Sequence, residues 1–259
     1  METSLVDWQL IGFVYPVELL LGELIHLMIG EDGLEKQKKE YYILKSGNII
    51  NQVFVYYGNL VFFFLFGFIV WFQIYFQTTS HTLLPGADDS SRSSSSPVKK
   101  SLMKQYAVKY VLKNLMLFFI FNWIDILFVI TGGFCSDESE TFSAAICRQN
   151  GGEWKGGFDI SGHFCFIMNL SMILWIELLN LKKYIREEGL ESLVNTWVKL
   201  AVTIILAVLF IWIFMLFITA IYYHTFLEKI LGCALGYVCP YILYWIIPNN
   251  ENLNYILYI

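Results

Sequence analysis

The sequence predicts an all-α integral membrane protein with six transmembrane helices. Hydrophobic residues make up 57% of the 259 residues and charged residues only 15%, whereas soluble domains carry roughly 25% charged residues. Apolar runs of about 20 residues, long enough to cross a hydrocarbon core of roughly 30 Å, recur along the chain. The net charge of −5 adds little, because the placement of charges between spans matters more than their sum.

The six predicted helices lie at about residues 8–29, 52–76, 106–130, 160–181, 199–220 and 229–247. The last two divide the apolar stretch from Leu200 to Ile247, which would be roughly 72 Å long as a single helix. That length is more than twice the thickness of the hydrocarbon core, so the chain must turn back within the stretch. The polar sequence YYHTFLEK is the predicted position of the turn.

The chain, residues 1–259, is predicted to form one membrane domain, in which residues 77–104 are a flexible, serine-rich cytosolic linker between spans two and three. Loops two and four together contain more lysine and arginine than loops one, three and five. This excess predicts that the even-numbered loops and both termini are cytosolic and that the odd-numbered loops are lumenal.

Two histidines belong to the odd-numbered side. His163 lies at the start of span four, directly after loop three, and His224 lies at loop five. Because odd-numbered loops share one membrane face in either orientation, we expect the two imidazoles at similar depth on the same side of the membrane.

The sequence HTFLE places His224 and Glu228 four residues apart, and therefore on one face if this segment is helical. A carboxylate beside an imidazole accepts a proton from one ring nitrogen and makes the other nitrogen more basic. Such a histidine can act as a nucleophile or a base. A polar turn among lipid headgroups explains the same residues equally well.

The sequence DISGH precedes the fourth span. Asp159 or Ser161 could cap the helix that begins here, and Gly162 leaves room for close backbone approach. His163 would then lie in the first turn, where unpaired N–H groups favour an anion such as phosphate. The upstream GGEWKGG could add backbone donors and the charge of Lys155. A flexible connector with an interfacial tryptophan is the alternative interpretation.

Two histidines, one of them backed by a carboxylate and the other beside a possible phosphate cradle, suggest phosphoryl transfer on a lipid. One histidine would attack phosphorus and the other would protonate the leaving oxygen. No cofactor is expected, since covalent histidine catalysis needs no metal and the sequence lacks a convincing metal-binding cluster.

Three stretches, FVITGGFC, WKGGFDISGHFCF and YYHTFLEKILG, resemble in their order and spacing the fat storage-inducing transmembrane (FIT) family. The resemblance covers most of the chain, and the divergent linker indicates a fungal-type member. It implies an endoplasmic reticulum acyl-CoA diphosphatase that converts fatty acyl-CoA to acyl 4′-phosphopantetheine and adenosine 3′,5′-bisphosphate. It also implies a role in lipid metabolism, with lipid droplet formation and membrane homeostasis as the outcome.

The FIT family is similar in turn to the lipid phosphate phosphatases, which implies a helical bundle of their kind. By this resemblance, His163 matches the histidine that protonates the leaving group, and His224 matches the histidine that takes the phosphoryl group. Glu228 stands where the phosphatases have the aspartate that orients this second histidine.

The phosphatase pattern is incomplete in this chain. Ile218 stands where the phosphatases place an arginine, six residues before His224, and Phe217 stands where they have serine. The charge of the phosphoryl group must therefore be met by other groups. The candidates are Arg148, Lys155, Lys229 and backbone N–H groups at the start of span four.

Other functions remain open at this point. The enzyme could act on phosphatidate or lysophosphatidate, or the chain could be a non-catalytic scaffold that binds di- or triacylglycerol. A transporter is a weaker alternative, because paired broken helices are not evident in the sequence. Membrane lipids and fatty acyl-CoA are the expected partners, and nucleic acid is not.

Asp125, in the third span, is a candidate partner of the site, because ionisable groups at membrane depth are costly and are buried for a reason. Pairing with another helix is the alternative. Glu18 and Glu23 in the first span could be structural or could help to bind neutral lipid, and the sequence does not rank these roles or assign one to His26.

Cys135 and Cys147 share the third loop, which faces an oxidising lumen in the predicted topology. A disulfide between them would contribute up to about 3 kcal/mol by the loop-entropy estimate and would brace the approach to the site. Two free thiols are the alternative.

Overall fold

The computed structural model describes residues 5–45, 47–83, 90–136 and 141–258 and shows a bundle of helices. Its α-helices of more than one turn are α1 (Leu5–Ile29), α2 (Glu31–Glu40), α3 (Gly58–Leu83), α4 (Ser90–Ile130), α5 (Ala144–Gln149), α6 (Gly162–Glu187), α7 (Thr196–Tyr222), α8 (Phe226–Tyr241) and α9 (Glu251–Leu257). Shorter helical turns cover Tyr42–Leu44, Ile49–Asn51, Gln52–Tyr56, Glu191–Leu193, Ile242–Ile246 and Ile247–Asn249. Two short strands, β1 (Phe134–Cys135) and β2 (Trp154–Lys155), pair antiparallel.

Six helical stretches among the described residues are long and apolar enough to cross a membrane, which confirms the predicted number. They are Ile11–Ile29, Tyr42–Ser80, Val98–Ile130, Gly162–Glu187, Thr196–Tyr222 and Phe226–Asn249. The turn between the last two lies at residues 223–225, within the predicted YYHTFLEK. We call the end of the bundle that carries the loops between α1 and α3, between α4 and α6 and between α7 and α8 the odd-loop end.

Helix α6 lies at the centre of the bundle. In the most apolar 18-residue stretch of α6, 72% of the residues are buried, whereas the corresponding share in the other five spans is 22–50%. Small residues of α8 allow this packing, since a Cβ at Gly232 would lie 2.5 Å from the Ser161 carbonyl oxygen and a Cβ at Gly236 would lie 3.1 Å from that of Phe164. A glycine pair at this spacing lets helix backbones approach closely. The start of α6 is thereby held against the start of α8.

The secondary structure of the predicted linker is corrected where it is described. Residues 77–83 continue α3 and residues 90–104 begin α4, so both ends are helical. Residues 84–89 lie outside the described part of the chain. Both apolar helices therefore continue beyond the predicted spans 52–76 and 106–130 into the serine-rich sequence. The mobility of the linker remains a prediction.

The third loop is held by a disulfide and a small sheet. Cys135 and Cys147 are bonded, which is the first of the two alternatives left open by the sequence, and Cys135 pairs with Trp154 across the two strands. Trp154 stacks on Phe128 with ring centroids 4.5 Å apart. The GGEWKGG segment thus forms one strand of this sheet and the turn that leads to α6.

A buried ionic cluster lies in the half of the bundle opposite the odd-loop end. Glu177 of α6 is fully buried and accepts hydrogen bonds from Lys109 at 2.7 Å and from Tyr244 at 2.6 Å. The Tyr106 hydroxyl lies 3.4 Å from its second oxygen. We call these four residues the Glu177 cluster. It lies roughly 21 Å from His163 along α6.

Candidate active site

A cavity of about 180 Å³ opens at the odd-loop end and contains both predicted histidines. Segments distant in sequence meet there: the stretch between α2 and α3, the start of α6, and the end of α7 with the turn that follows it. The polar residues that line the cavity are Lys45, Asn48, Asn51, Asp159, His163, Thr219, Tyr223 and His224. The expectation that helix parity brings the two histidines to one face is therefore confirmed.

His163 is held by the cap of α6. Of the two capping candidates the structure selects Ser161, which is buried and whose hydroxyl accepts a hydrogen bond from the Phe164 N–H at 3.5 Å. His163 follows in the first turn, and its Nε2 lies 2.9 Å from Oδ1 of the buried Asn51. An amide oxygen only accepts hydrogen bonds, so Nε2–H donates to it. The imidazole is thus oriented from the segment between α2 and α3.

His224 is held by Asp159 in the turn between α7 and α8. Its Nδ1 lies 2.9 Å from the Asp159 carbonyl oxygen and 3.5 Å from the carboxylate oxygen Oδ2. Both partners accept, so Nδ1 carries the proton and Nε2 carries the lone pair. His224 has a φ of 58°, the only positive φ of a non-glycine residue in the described part of the chain. Such conformations are uncommon and cluster at functional sites.

The interpretation that His224 and Glu228 share a helical face is wrong, because α8 begins only at Phe226. Glu228 instead forms a capping box with Thr225, whose N–H donates to Oε2 at 2.7 Å. Its other oxygen, Oε1, accepts from the Asp159 N–H at 2.8 Å. Glu228 therefore joins the loop of Asp159 to the turn of His224, and the carboxylate beside the His224 ring is that of Asp159.

The sequence did not point to the cavity residues between α2 and α3, although the same parity places them at this end. The side chain of Asn48 organises this segment: its oxygen accepts from the Asn51 N–H at 2.8 Å, and its nitrogen donates to the carbonyls of Ile43 at 2.8 Å and Lys45 at 2.7 Å. The polar residues of the sequence SGNIIN, directly before an apolar run, were the one feature that could have indicated this part of the site.

Tyr223 ties the same segment to the turn that carries His224. Its hydroxyl donates to the Leu44 carbonyl oxygen. Burial raises the pKa of the Tyr223 phenol, which keeps it a neutral donor. The Trp212 indole, within α7, also donates to the Phe54 carbonyl at 2.8 Å and so joins this segment to the helix before the turn.

Two predicted phosphate-binding lysines lie elsewhere. Lys155, on β2, is exposed and pairs with Glu153 at 2.8 Å, and this pairing lowers the pKa of the Glu153 carboxyl. Lys229 is fully buried in α8, where it pairs with Glu23 at 2.5 Å and donates to the Ala220 carbonyl. Neither lysine lines the cavity, and each neutralises a carboxylate elsewhere.

The remaining predicted residues have other environments. Asp125 accepts from the Ala144 N–H at 3.3 Å, at the start of α5, and does not line the cavity. Gly162 is not a point of close approach, since a Cβ there would meet Phe121 at an ordinary 3.5 Å. The Nδ1 of His26 contacts the Ile221 carbonyl at 2.6 Å, which joins α1 to α7. The side chain of Arg148 lies outside the described part of the chain.

Within the described residues, no group of three or more histidine, cysteine, aspartate or glutamate side chains is arranged to hold a metal ion. The three cysteines outside the disulfide, Cys165, Cys233 and Cys239, are all buried.

The fold and the site together define a multi-pass membrane protein with paired histidines at one end of a helical bundle. Residues 39–244 match the model of the fat storage-inducing transmembrane protein family, and the chain therefore belongs to the FIT family.

Three curated relatives carry the same name, acyl-coenzyme A diphosphatase. The chain is 43% identical to YFT2 of Saccharomyces cerevisiae, with 95% of each chain covered, and 27% identical to fit1 of Schizosaccharomyces pombe, with 91% and 85% covered. It is 31% identical to human FITM2, with 37% of this chain and 35% of the relative covered. The chain is thus a fungal-type FIT member, and no solved structure matches it.

Proposed function

We propose that this chain is a fatty acyl-CoA diphosphatase of the endoplasmic reticulum membrane. It hydrolyses the diphosphate of fatty acyl-CoA to acyl 4′-phosphopantetheine and adenosine 3′,5′-bisphosphate. The shared name of the curated relatives supports this activity. The observation that carries the proposal is that His163, His224 and Asp159, which are far apart in sequence, line one cavity.

His224 is the nucleophile in this mechanism. Its Nδ1–H is engaged by Asp159, so the lone pair of Nε2 attacks one phosphorus of the diphosphate. As the N–P bond forms, the bridging P–O bond breaks and its electron pair leaves with the departing phosphate group. His163, as the imidazolium, gives its proton to the departing oxygen.

Water completes the cycle. A water molecule attacks the phosphorus of the phosphohistidine and transfers a proton to His163, and the N–P bond breaks to restore His224. One water is consumed and both imidazoles return to their starting protonation states. Two histidines are sufficient for these steps because each proton that His163 loses is recovered from the attacking water.

The position of the cavity suits an amphiphilic substrate. A volume of about 180 Å³ is below the roughly 300–1,000 Å³ of pockets that enclose a drug-sized ligand, so the cavity takes the diphosphate and not the whole coenzyme. The acyl chain extends among apolar helices, and the adenosine end extends into water. In the proposed topology this end of the bundle faces the lumen and both termini are cytosolic.

The activity is tested with purified protein in detergent or lipid nanodiscs and oleoyl-CoA as substrate. We expect release of adenosine 3′,5′-bisphosphate, measured by chromatography, and loss of at least about 1,000-fold in kcat/KM in His163→Ala and in His224→Ala. His81→Ala is the matched control, because His81 belongs to the predicted linker between spans two and three. Activity that survives both cavity substitutions would reject the mechanism.

Competition between substrates separates this function from its nearest alternative. Phosphatidate and lysophosphatidate should neither be dephosphorylated at a comparable rate nor inhibit oleoyl-CoA cleavage at equal concentration. Preferred cleavage of phosphatidate would assign the same histidines to a phosphatase instead.

A second candidate function, a scaffold for di- or triacylglycerol in lipid droplet formation, is favoured by a separate feature. An apolar groove of about 600 Å³ lies between α3 and α7, and its lining includes Phe68, Trp71 and Trp197. A scaffold needs the groove and not the histidines. Restoration of lipid droplets by His224→Ala in cells that lack the protein would favour this function.

The topology is tested separately. An Asn-X-Thr acceptor inserted within residues 137–140 of loop three should be glycosylated in microsomes, whereas one inserted within residues 84–89 should not. The reverse pattern would place the cavity on the cytosolic side.

A further inference from the structure

The proposed reaction leaves a charge unexplained. A diphosphate is anionic, and the cavity already contains the carboxylate of Asp159. At the two positions that correspond to the serine and arginine of the lipid phosphate phosphatase pattern, this chain has Phe217 and Ile218. Of the predicted substitutes, Lys155 and Lys229 pair with other carboxylates, and the side chain of Arg148 lies outside the described part of the chain. The His163 imidazolium supplies one positive charge but passes its proton to the departing oxygen, so transfer of a phosphoryl group without a further cation would forgo electrostatic stabilisation on which such reactions depend.

Among the described residues, Lys45 is the one lysine or arginine that lines the cavity with both histidines. On this basis, and resting on the proposed function, we infer that Lys45 binds the reacting diphosphate and stabilises the charge that develops during its cleavage. An ammonium group is a compact point charge suited to phosphate oxygens.

The backbone of Lys45 is fixed from two sides. Its carbonyl accepts from the Asn48 side chain at 2.7 Å, and its N–H donates to the Tyr42 carbonyl at 3.1 Å. The preceding carbonyl, that of Leu44, accepts from the Tyr223 hydroxyl. Tyr223 is the neighbour of His224, so the segment that carries Lys45 is tied directly to the turn that carries the nucleophile.

The side chain of Lys45 is exposed and forms no ion pair with any described residue, unlike Lys39, Lys155 and Lys229. The backbone of Lys45 is held in place, and no carboxylate of the described residues neutralises its ammonium group. The ammonium group can therefore bind an incoming anion without breaking an existing ion pair. The alternative is a solvated lysine near the mouth of the cavity, and the two differ in their effect on catalysis.

A matched pair of variants tests the inference. Lys45→Met should lower kcat/KM for oleoyl-CoA by about tenfold, less than the roughly 100- to 1,000-fold seen on removal of a preorganised oxyanion-hole donor because Lys45 is exposed, and Lys45→Arg should recover most of it. Lys36→Met is the control, because Lys36 is an exposed lysine of the preceding helix α2 that does not line the cavity. It should stay within about twofold of the parent protein, and all variants should unfold at the same temperature.

A second substrate shows which phosphate Lys45 meets. Acyl-CoA also carries a 3′-phosphate on its ribose, so the same variants are assayed with oleoyl-3′-dephospho-CoA. The inference requires an equal loss with both substrates. A loss confined to the substrate with the 3′-phosphate would overturn it, as would an active parent protein that Lys45→Met leaves within about twofold. A parent protein without activity would reject the proposed function instead.

Discussion

Two polar regions near opposite ends of helix α6 show how a membrane bundle distinguishes structure from function. The Glu177 cluster is closed: its carboxylate is fully buried and accepts hydrogen bonds from a lysine and a tyrosine of two other helices. At the odd-loop end, the Asp159 side chain is 49% exposed and the His224 side chain 15% exposed, and both line a cavity. The first region satisfies its charges internally, whereas the second leaves space beside them for a ligand.

The comparison predicts opposite consequences of substitution. Breaking the closed region should change stability and leave the chemistry intact, and changing the open region should do the reverse. Glu228 lies between these cases, because it is buried like Glu177 but joins the two loops that carry Asp159 and His224.

The largest effect on stability is expected for Glu177→Ala. The substitution leaves the buried Lys109 ammonium without its carboxylate, which costs about 3–5 kcal/mol when one partner of a buried pair is removed. Its activity per folded molecule should stay close to that of the parent protein. Thermal unfolding in detergent and the oleoyl-CoA assay measure the two quantities.

Glu187→Ala is the control for this prediction. Glu187 belongs to the same helix and pairs with Lys183 at 3.7 Å, but its side chain is 58% exposed. Exposed pairs contribute about 0–1 kcal/mol, so the unfolding temperature should hardly change. An equal loss of stability in both variants would show that the Glu177 cluster does not differ from a surface pair.

Glu228→Ala should lower both stability and activity. Two backbone N–H groups, those of Asp159 and Thr225, lose a charged acceptor, and hydrogen bonds to charged groups contribute about 1.5–3 kcal/mol each. Some of this loss is recovered by water, so we expect about 2–4 kcal/mol. Thermal unfolding and kcat should change together. A loss of activity at unchanged unfolding temperature would instead support direct contact between Glu228 and His224.

Helix parity explains why the main features of the site were predictable. The number of spans follows from the lengths of the apolar runs. Between His163 and His224 the chain crosses the bundle twice, so both histidines lie at the same end. The sequence also contained the role of Glu228, since Thr225-x-x-Glu228 is a capping-box pattern at the start of a helix. The i,i+4 interpretation failed because it started the helix at His224 instead of after Thr225.

The partners of the charged residues were not predictable in the same way. Lys229 and Glu23 are separated by most of the chain and meet only because α1 packs beside α8. Lys155, on strand β2, forms an ion pair with Glu153, two residues before it, and not with a group in the cavity. Lys45 and Asn51 reach the cavity through a chain of local hydrogen bonds centred on Asn48. Composition and periodicity carry no information about such packing.

The smallest of these effects, expected for Asp159→Asn, tests the open region most directly. The Asp159 carbonyl oxygen at 2.9 Å still accepts from His224 Nδ1 in this variant, so the ring keeps its tautomer and only the carboxylate at 3.5 Å is lost. The carboxylate stabilises the positive charge that His224 acquires on attack, but half exposure weakens this interaction. We expect kcat to fall by about tenfold, equivalent to about 1.4 kcal/mol, with KM and the unfolding temperature little changed.

Glu153→Gln is the control for Asp159→Asn, since it removes an exposed carboxylate from the same loop outside the cavity. If Asp159→Asn retains the full kcat, the backbone carbonyl alone orients His224 and the carboxylate has no part in catalysis. If instead the unfolding temperature falls with kcat, Asp159 resembles Glu228 and belongs to the framework of the site. In that case neither Asp159 nor Glu228 would act directly on the chemistry, and the histidines alone would form the catalytic part of the open region.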